Sequence, residues 1–476
     1  MLGLLKNIQL LYVLPLTGLG YALFNSWKRY SFWSDELGSV SMAVLPLKEV
    51  MSAIAGDVHP PLFQLLMKVW VVCFGTDEPI VRLLSLLSCL LAALYLFYRT
   101  KDLSKVARWA VITIFTTCSL FPFYAQEARS YGVTLLLSTV LAVEFVSIGK
   151  GTPAIRSYYL TLTAIALSLT HYFGLLLSLS MLTVLVIEHR KTIEQRSVFL
   201  VGIVLCFVWP AVHYWLGLAA LKSSKNSWMV VDGPLDTTRI FLRTFFPNFN
   251  DSLLLFCACC LILLIVYSVS ICKKNMLGSM VMSSGLYKLV SVTGLMLVGI
   301  VAIDAVSPIS TERNFIVMLP VVSLLVGYCV QQVFHQKNQK VIFIIFIGVI
   351  VWAANSLLFT NYLLASKWAP QQNWRATAQF VIDHHKSQSL YYLRARDDEE
   401  TDRVFNFYIK KLSANTLAVE RKYIQQIADI NGPAFIILGG ANQGLFDMVK
   451  KHSVQPVLQI FQPTQSLNAT TGVIVF

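Results

Sequence analysis

Apolar runs of about 20 residues, the length a helix needs to cross a bilayer, recur along the chain between short polar connectors. About eleven are predicted, near residues 7–25, 80–98, 108–124, 130–148, 157–171, 173–188, 198–218, 252–271, 286–305, 314–334 and 341–360. The first has only a short charged lead and no small-residue cleavage site, so it reads as a retained span. The connectors "YRTKDLSKVAR", "GKGTPAIR", "EHRKTIEQR", "CKKN" and "HQKNQK" are short and basic and alternate with the other loops, which places them and the amino terminus in the cytoplasm. An odd number of spans then puts everything after Thr360 outside, with the loops at 26–79, 125–129, 219–251 and 306–313.

Past Thr360 the pattern becomes that of a soluble protein. "NWRATAQFVIDHHK" reads as a helix, "SLYYLRA" as a strand, "DEETDRVFNFYIKKL" as a helix, "AFIILGG" as a strand and "ANQGLFDMVKKH" as a further helix. Alternating strands and helices predict a small α/β domain. The expected organisation is therefore a polytopic α-helical membrane domain over residues 1–365, with a long first outer loop at 26–79, and an extracytoplasmic α/β domain over 366–476. "GGANQG" lacks the spacing of a dinucleotide loop. Asn468-Ala469-Thr470 is a glycosylation sequon that has meaning only in a eukaryotic host.

Composition supports the membrane reading, with 56% hydrophobic and 13% charged residues against about 25% charged in soluble proteins. The formal charge of +13 comes from lysines and arginines that border spans, and no basic tract with interleaved aromatics points to nucleic acid. The nine cysteines lie in or beside apolar runs, "CACC" at 257–260 included. They read as buried small hydrophobes rather than as disulfides or a thiolate metal site.

Polar residues gather at one level, the outer ends of the predicted spans. "FWSDELGS" places Asp35 and Glu36 directly after the first span, and "SDELGSVSMAVLPLKEVMSAIAG" reads as one or two short amphipathic helices on the membrane surface. In "GDVHPPLFQLLMKVW", Pro60 and Pro61 suit the first turn of a helix, which sets His59 at its anion-favouring amino end. Pro79 opens the second span, with Arg82 about one turn inside it. "FPFYAQEARSYG" contributes Glu127, Arg129 and Tyr131, "LTHYFG" contributes His171 and Tyr172, and "SPISTERNFIVMLP" contributes Glu312 and Arg313. Each also has a plain structural reading: a helix cap for Asp35 and Glu36, interface anchors for His171 and Tyr172, snorkelling for Arg82 and Arg313, and a surface ion pair for Glu127 and Arg129. Their convergence on one layer favours a polar site. Glu144, deep in the fourth predicted span, stands outside this pattern.

The run of motifs "FWSDE", "GDVHPPLFQLL", "FGTDEPIVRLLSLLS", "YAQEARSYG" and "THYFG" resembles the C-type membrane glycosyltransferases. More narrowly it resembles the bacterial protein-mannosyltransferase-like group, which includes the aminoarabinose transferase that acts on lipid A. The resemblance covers residues 10–360. It implies transfer of a hexosyl or pentosyl unit from a polyprenyl-phosphate donor to a lipid, glycan or protein acceptor at the periplasmic face of a bacterial inner membrane. The family's acidic residue in the first outer loop matches Asp35, with Glu36 beside it; His59 stands where some relatives carry lysine; Arg129 matches the arginine of "EARSYG" and Arg313 a late basic residue. Those residue types fit the chemistry. An oxocarbenium-like transfer needs a carboxylate to take the acceptor's proton and fixed cations to stabilise the departing phosphate. Asp35 and Glu36 are thus the catalytic candidates, His59, Arg129 and Arg313 the phosphate-binding ones, and Glu127, Tyr131, His171 and Tyr172 the substrate-binding ones. A divalent metal bridging carboxylate and phosphate is compatible with this but is not demanded by any ligand spacing. The competing reading, a transporter or flippase of lipid-linked sugars, would show inverted repeats and broken midplane helices, and neither is evident.

Overall fold

The computed structural model describes residues 12–26, 31–149, 152–215, 231, 233–274, 280–336, 339–364, 374–384, 389–393, 400–412, 421–424, 434–439, 457–460 and 471–475. The chain forms two compact units, one of Met1–Trp27, Met42–Gly75 and Ile80–Asn361, the other of Lys28–Ser41, Thr76–Pro79 and Tyr362–Phe476.

The larger unit is a bundle of helices. Among the described residues six helices are long and apolar enough to cross a membrane: Glu78–Arg99, Ile193–His213, Asp251–Ser270, Gly285–Asp304, Glu312–His335 and Gln339–Leu363. The chain is accordingly an integral membrane protein. The apolar helices Val13–Asn25, Leu62–Phe74, Tyr131–Ser147 and Tyr172–Glu188 are shorter. All of these except Leu62–Phe74, in the first loop, fall on apolar runs predicted as spans; residues 7–11 of the first run lie outside the described residues. The helix Pro234–Phe245, in the loop at 219–251, was not expected.

Three predicted spans are interrupted by the same device. Pro122, Pro210 and Pro320 have no N–H for the carbonyl four residues back, which is that of Cys118, Cys206 and Ile316. The helix Lys105–Thr117 accordingly stops at Cys118 and resumes as Leu120–Tyr124. Ile193–Cys206 is followed by Val208–His213, and a 3-10 turn, Glu312–Met318, precedes Leu319–His335.

Close helix packing fixes the bundle. A side chain at Gly132 would place its Cβ 2.8 Å from both the Cα and the carbonyl oxygen of Ser85. The helices Tyr131–Ser147 and Glu78–Arg99 therefore meet backbone to backbone at that point. Gly132→Ala is expected to force them apart at a cost of about 1–3 kcal/mol, which a fall in the thermal midpoint of the purified protein would register. At the other end of the same two helices lies Glu144. It accepts from Tyr95 Oη at 2.6 Å and from Arg156 through Nη2 at 2.6 Å and Nε at 3.2 Å, and it pairs with Arg99 Nη2 at 2.7 Å. Glu144 is one turn from its helix end rather than deep in a span, and its charge is balanced by two arginines.

The smaller unit contains a five-stranded sheet of order β2-β1-β3-β5-β4, with β1 Ser389–Leu393, β2 Arg421–Ile424, β3 Ala434–Gly439, β4 Val457–Ile460 and β5 Thr471–Val475. The pairs β1–β2 and β1–β3 are parallel, while β5 runs antiparallel to β3 and β4. The helices Trp374–His384 and Glu400–Leu412 bury Trp374, Ala378 and Val381 from one, and Phe405, Tyr408 and Ile409 from the other. This i, i+3/i+4 spacing is that of amphipathic helices on a core. The helix predicted over "ANQGLFDMVKKH" and the sequon at Asn468 lie outside the described residues.

Candidate functional site

In the larger unit, the motif Asp57-Val58-His59-Pro60-Pro61 bridges two helices. Asp57 is the extended C-cap of Leu47–Gly56, and Pro61 is the N-cap of Leu62–Phe74. Leu62 donates to the Leu169 carbonyl at 2.8 Å, which fastens this turn next to His171. Asp57 Oδ1 accepts from the Val58 amide at 2.7 Å and lies 3.3 Å from His59 Nδ1, and His59 Nε2 lies 3.2 Å from Arg129 Nη2. A guanidinium can only donate. Nε2 of His59 therefore faces the guanidinium and Nδ1 faces the carboxylate, so the imidazole links Asp57 to Arg129. Burial raises the Asp57 carboxyl, but its hydrogen bond with His59, the charge of Arg129 and the Val58 amide outweigh that and hold it below the usual carboxylate range.

Arg129 follows the broken span, and its carbonyl accepts from Ser85 Oγ at 3.3 Å. Arg129 is itself buried, as are its sequence neighbours Gln126, Glu127 and Tyr131, and so is Arg82. The Tyr124 and Tyr131 rings meet at a tilt of 51° with centroids 4.5 Å apart, and the Tyr131 ring lies 5.9 Å from that of His171. His171 is buried as the N-cap of Tyr172–Glu188, where Nδ1 accepts the Phe173 amide at 3.1 Å. Its ring lies 6.2 Å from that of His59. Arg313, in the 3-10 turn, is near enough for its charge to act on His171 and Tyr124. The structure thus brings His59, Arg129, Tyr131, His171 and Arg313 together. Tyr172 turns to His213 instead, with its hydroxyl 2.5 Å from Nδ1 and the rings stacked at 10°.

Two residues of this cluster were not among the sequence candidates. Asp57 carries the His59–Arg129 relay and is close enough to act electrostatically on Tyr172 and His213. Its signal was present, two residues before His59 in "GDVHPP". His213, fully buried, follows Pro210 inside an apolar run that gave no sign of it. Asp304 has a supporting part. It accepts from Ile309 N at 2.8 Å, Ser310 N at 3.1 Å, Ser310 Oγ at 2.5 Å and Thr237 Oγ1 at 2.7 Å, which sets the loop leading to Arg313.

In the smaller unit, Asp35 and Glu36 occupy the first turn of Ser34–Val44. Glu36 is fully buried and its Oε2 lies 3.4 Å from the Trp33 amide, the backward half of a capping box. Asp35 is half-buried. The segment before them is anchored: Phe32 N donates to Tyr408 Oη at 2.7 Å, and Ser31 Oγ accepts from Arg375 N at 3.0 Å. Tyr408 and Arg375 both reach Glu78, which is buried and takes a bidentate grip from Arg375 at 3.3 and 2.6 Å. Among the described residues no three histidine, cysteine, aspartate or glutamate side chains gather to hold a metal ion.

No family model and no curated protein matches the chain. Among solved structures it is similar to ArnT from Cupriavidus metallidurans in the apo state, at 12% identity and a TM-score of 0.56 over 99% of this chain and 98% of that one. The same protein bound to undecaprenyl phosphate aligns at 11% identity and a TM-score of 0.50 over 99% and 97%. An oligosaccharyltransferase of Archaeoglobus fulgidus aligns at 10% identity and a TM-score of 0.48 over 84% and 61%. Coverage of both ArnT chains from end to end establishes the architecture: this protein has the C-type membrane glycosyltransferase fold.

Proposed function

We propose that the protein is a glycosyltransferase that moves a sugar from a polyprenyl-phosphate donor to an acceptor at the outer, periplasmic face of the membrane. The observation that carries this reading is the part-buried chain Asp57–His59–Arg129 with Arg313 close by, in a fold shared with a protein crystallised with undecaprenyl phosphate. Arg129 and Arg313 take the phosphate, whose charge grows as the anomeric bond breaks; fixed cations in a largely buried setting stabilise that charge best. His59, held by Asp57, aims the Arg129 guanidinium. Asp35 takes the proton of the attacking acceptor hydroxyl, and Glu36 holds the start of its helix. Tyr131, His171 and Glu127 line the sugar's surroundings, and Tyr172 with His213 closes one side.

The decisive experiment uses purified protein in detergent, without any sealed compartment. With a polyprenyl-phosphate sugar and a cell-derived acceptor mixture it should consume the donor and release polyprenyl phosphate. An intact donor, together with movement of the same lipid across proteoliposomes, would instead make the protein a flippase. Arg129→Ala should weaken donor affinity about 10-fold or more, as expected for loss of a charge-assisted bond of about 1.5–3 kcal/mol, and Arg313→Ala should weaken it less. Equal donor affinity in both variants and the natural protein would remove the two arginines from the site.

A further inference from the structure

A half-open apolar slot of about 490 Å³ lies between the helices Val13–Ser26, Glu78–Arg99 and Lys105–Thr117, with Tyr12, Leu16, Leu19, Leu90, Leu94 and Phe97 among its walls. Leu16 and Leu94 are largely exposed at its opening. A slot with so few polar partners is poor for water and suits hydrocarbon. One end carries charge. The Arg108 guanidinium sits 3.7 Å over the Phe97 ring and donates to the Phe97 carbonyl from Nε at 3.2 Å and Nη2 at 2.8 Å. The Tyr12 and Phe97 rings meet edge to face at 6.2 Å beside it. Both Arg108 bonds go to one neutral acceptor, so its charge is fixed in place, and among the described residues no carboxylate forms an ion pair with it. Lys101 and Lys105, both exposed, lie in the same connector, against the single acid Asp102.

We infer that this is a binding site for an anionic glycerophospholipid, with an acyl chain in the slot and the phosphate on Arg108. It is separate from the candidate transfer site: Ser85, which touches Arg129, precedes Phe97 by twelve residues of one helix, about 18 Å along its axis. The inference therefore stands whether or not the protein transfers sugar. A lateral apolar slot capped by a fixed cation distinguishes lipids by headgroup as well as chain, and each interfacial cation favours an anionic over a neutral headgroup by about fivefold.

Native mass spectrometry of the purified full-length chain, incubated separately with palmitoyl-oleoyl phosphatidylglycerol and with the phosphatidylcholine of the same chains, tests this. The phosphatidylglycerol should be retained about fivefold more. Arg108→Gln should abolish that preference, and Leu94→Trp, at an exposed wall position, should reduce retention of both lipids by filling the slot. Should Arg108→Gln impair folding, the pair Lys101→Gln and Lys105→Gln, both at exposed positions, should still lower the preference. Equal retention of the two lipids, a preference that survives both headgroup variants, or unchanged retention in Leu94→Trp would overturn the inference. So would displacement of the phosphatidylglycerol by a polyprenyl phosphate whose own retention needs Arg108.

Discussion

Asp35→Asn protein is expected to remain folded in the membrane and to lose transfer by about 10²–10⁴-fold, the range that a positioned general base contributes. The two carboxylates of the first outer loop are adjacent in sequence but differ in setting. Glu36 is fully buried and turned back to the Trp33 amide; Asp35, one residue earlier, is half-buried. An amide at position 35 keeps the size and the acceptor oxygen of the carboxylate, and the helix should form unchanged, but it cannot accept a proton. Glu36→Gln provides the contrast: it should lower stability by about 1 kcal/mol, as for a weakened cap, with donor affinity retained. The measurement is single-turnover donor consumption by each purified variant beside its thermal midpoint. Transfer by Asp35→Asn at the natural rate, or a greater loss in Glu36→Gln, would take the base role away from Asp35.

The parts of this architecture that sequence could disclose are those carried by local pattern. Apolar runs marked the long helices, and "GDVHPP" marked a helix start with a histidine before it, because proline and helix geometry act over a few residues. What could not be read is long-range. Arg129 was a candidate for its place at the outer end of a span, but nothing near it indicated that His59, seventy residues earlier, would accept its guanidinium. Glu144 looked anomalous in a span because its two arginines, Arg99 and Arg156, come from the ends of two other helices. The prolines at 122, 210 and 320 were visible, yet hydropathy averages over the breaks that they make. Glu78 was one acid among several in a polar loop, and its partners stand about three hundred residues away.

That distant pairing leads to the second large effect. Arg375→Ala is expected to destabilise the smaller unit by about 3 kcal/mol, at the low end for removing one member of a buried ion pair. Glu78 is only 1% exposed, and Arg375 covers both of its oxygens. Without the guanidinium a buried carboxylate keeps Tyr408 Oη at 2.9 Å and Lys411 Nζ at 3.4 Å, which is why the loss should not reach the full penalty. The guanidinium's own charge state is secure, since Glu78 more than offsets burial and raises its pKa. The consequence is expected to spread along the chain. Arg375 N and Tyr408 Oη hold Ser31 and Phe32, the residues just before the helix that carries Asp35. Amide hydrogen exchange should therefore quicken by about a hundredfold in Glu400–Leu412 and in residues 34–41 together. In a Glu78→Gln background the same arginine change should cost 1–3 kcal/mol less, because the neutral amide leaves no charge stranded. If exchange quickened in Glu400–Leu412 alone, the bonds from Arg375 and Tyr408 to Ser31 and Phe32 would not be what keeps the Asp35 helix in place.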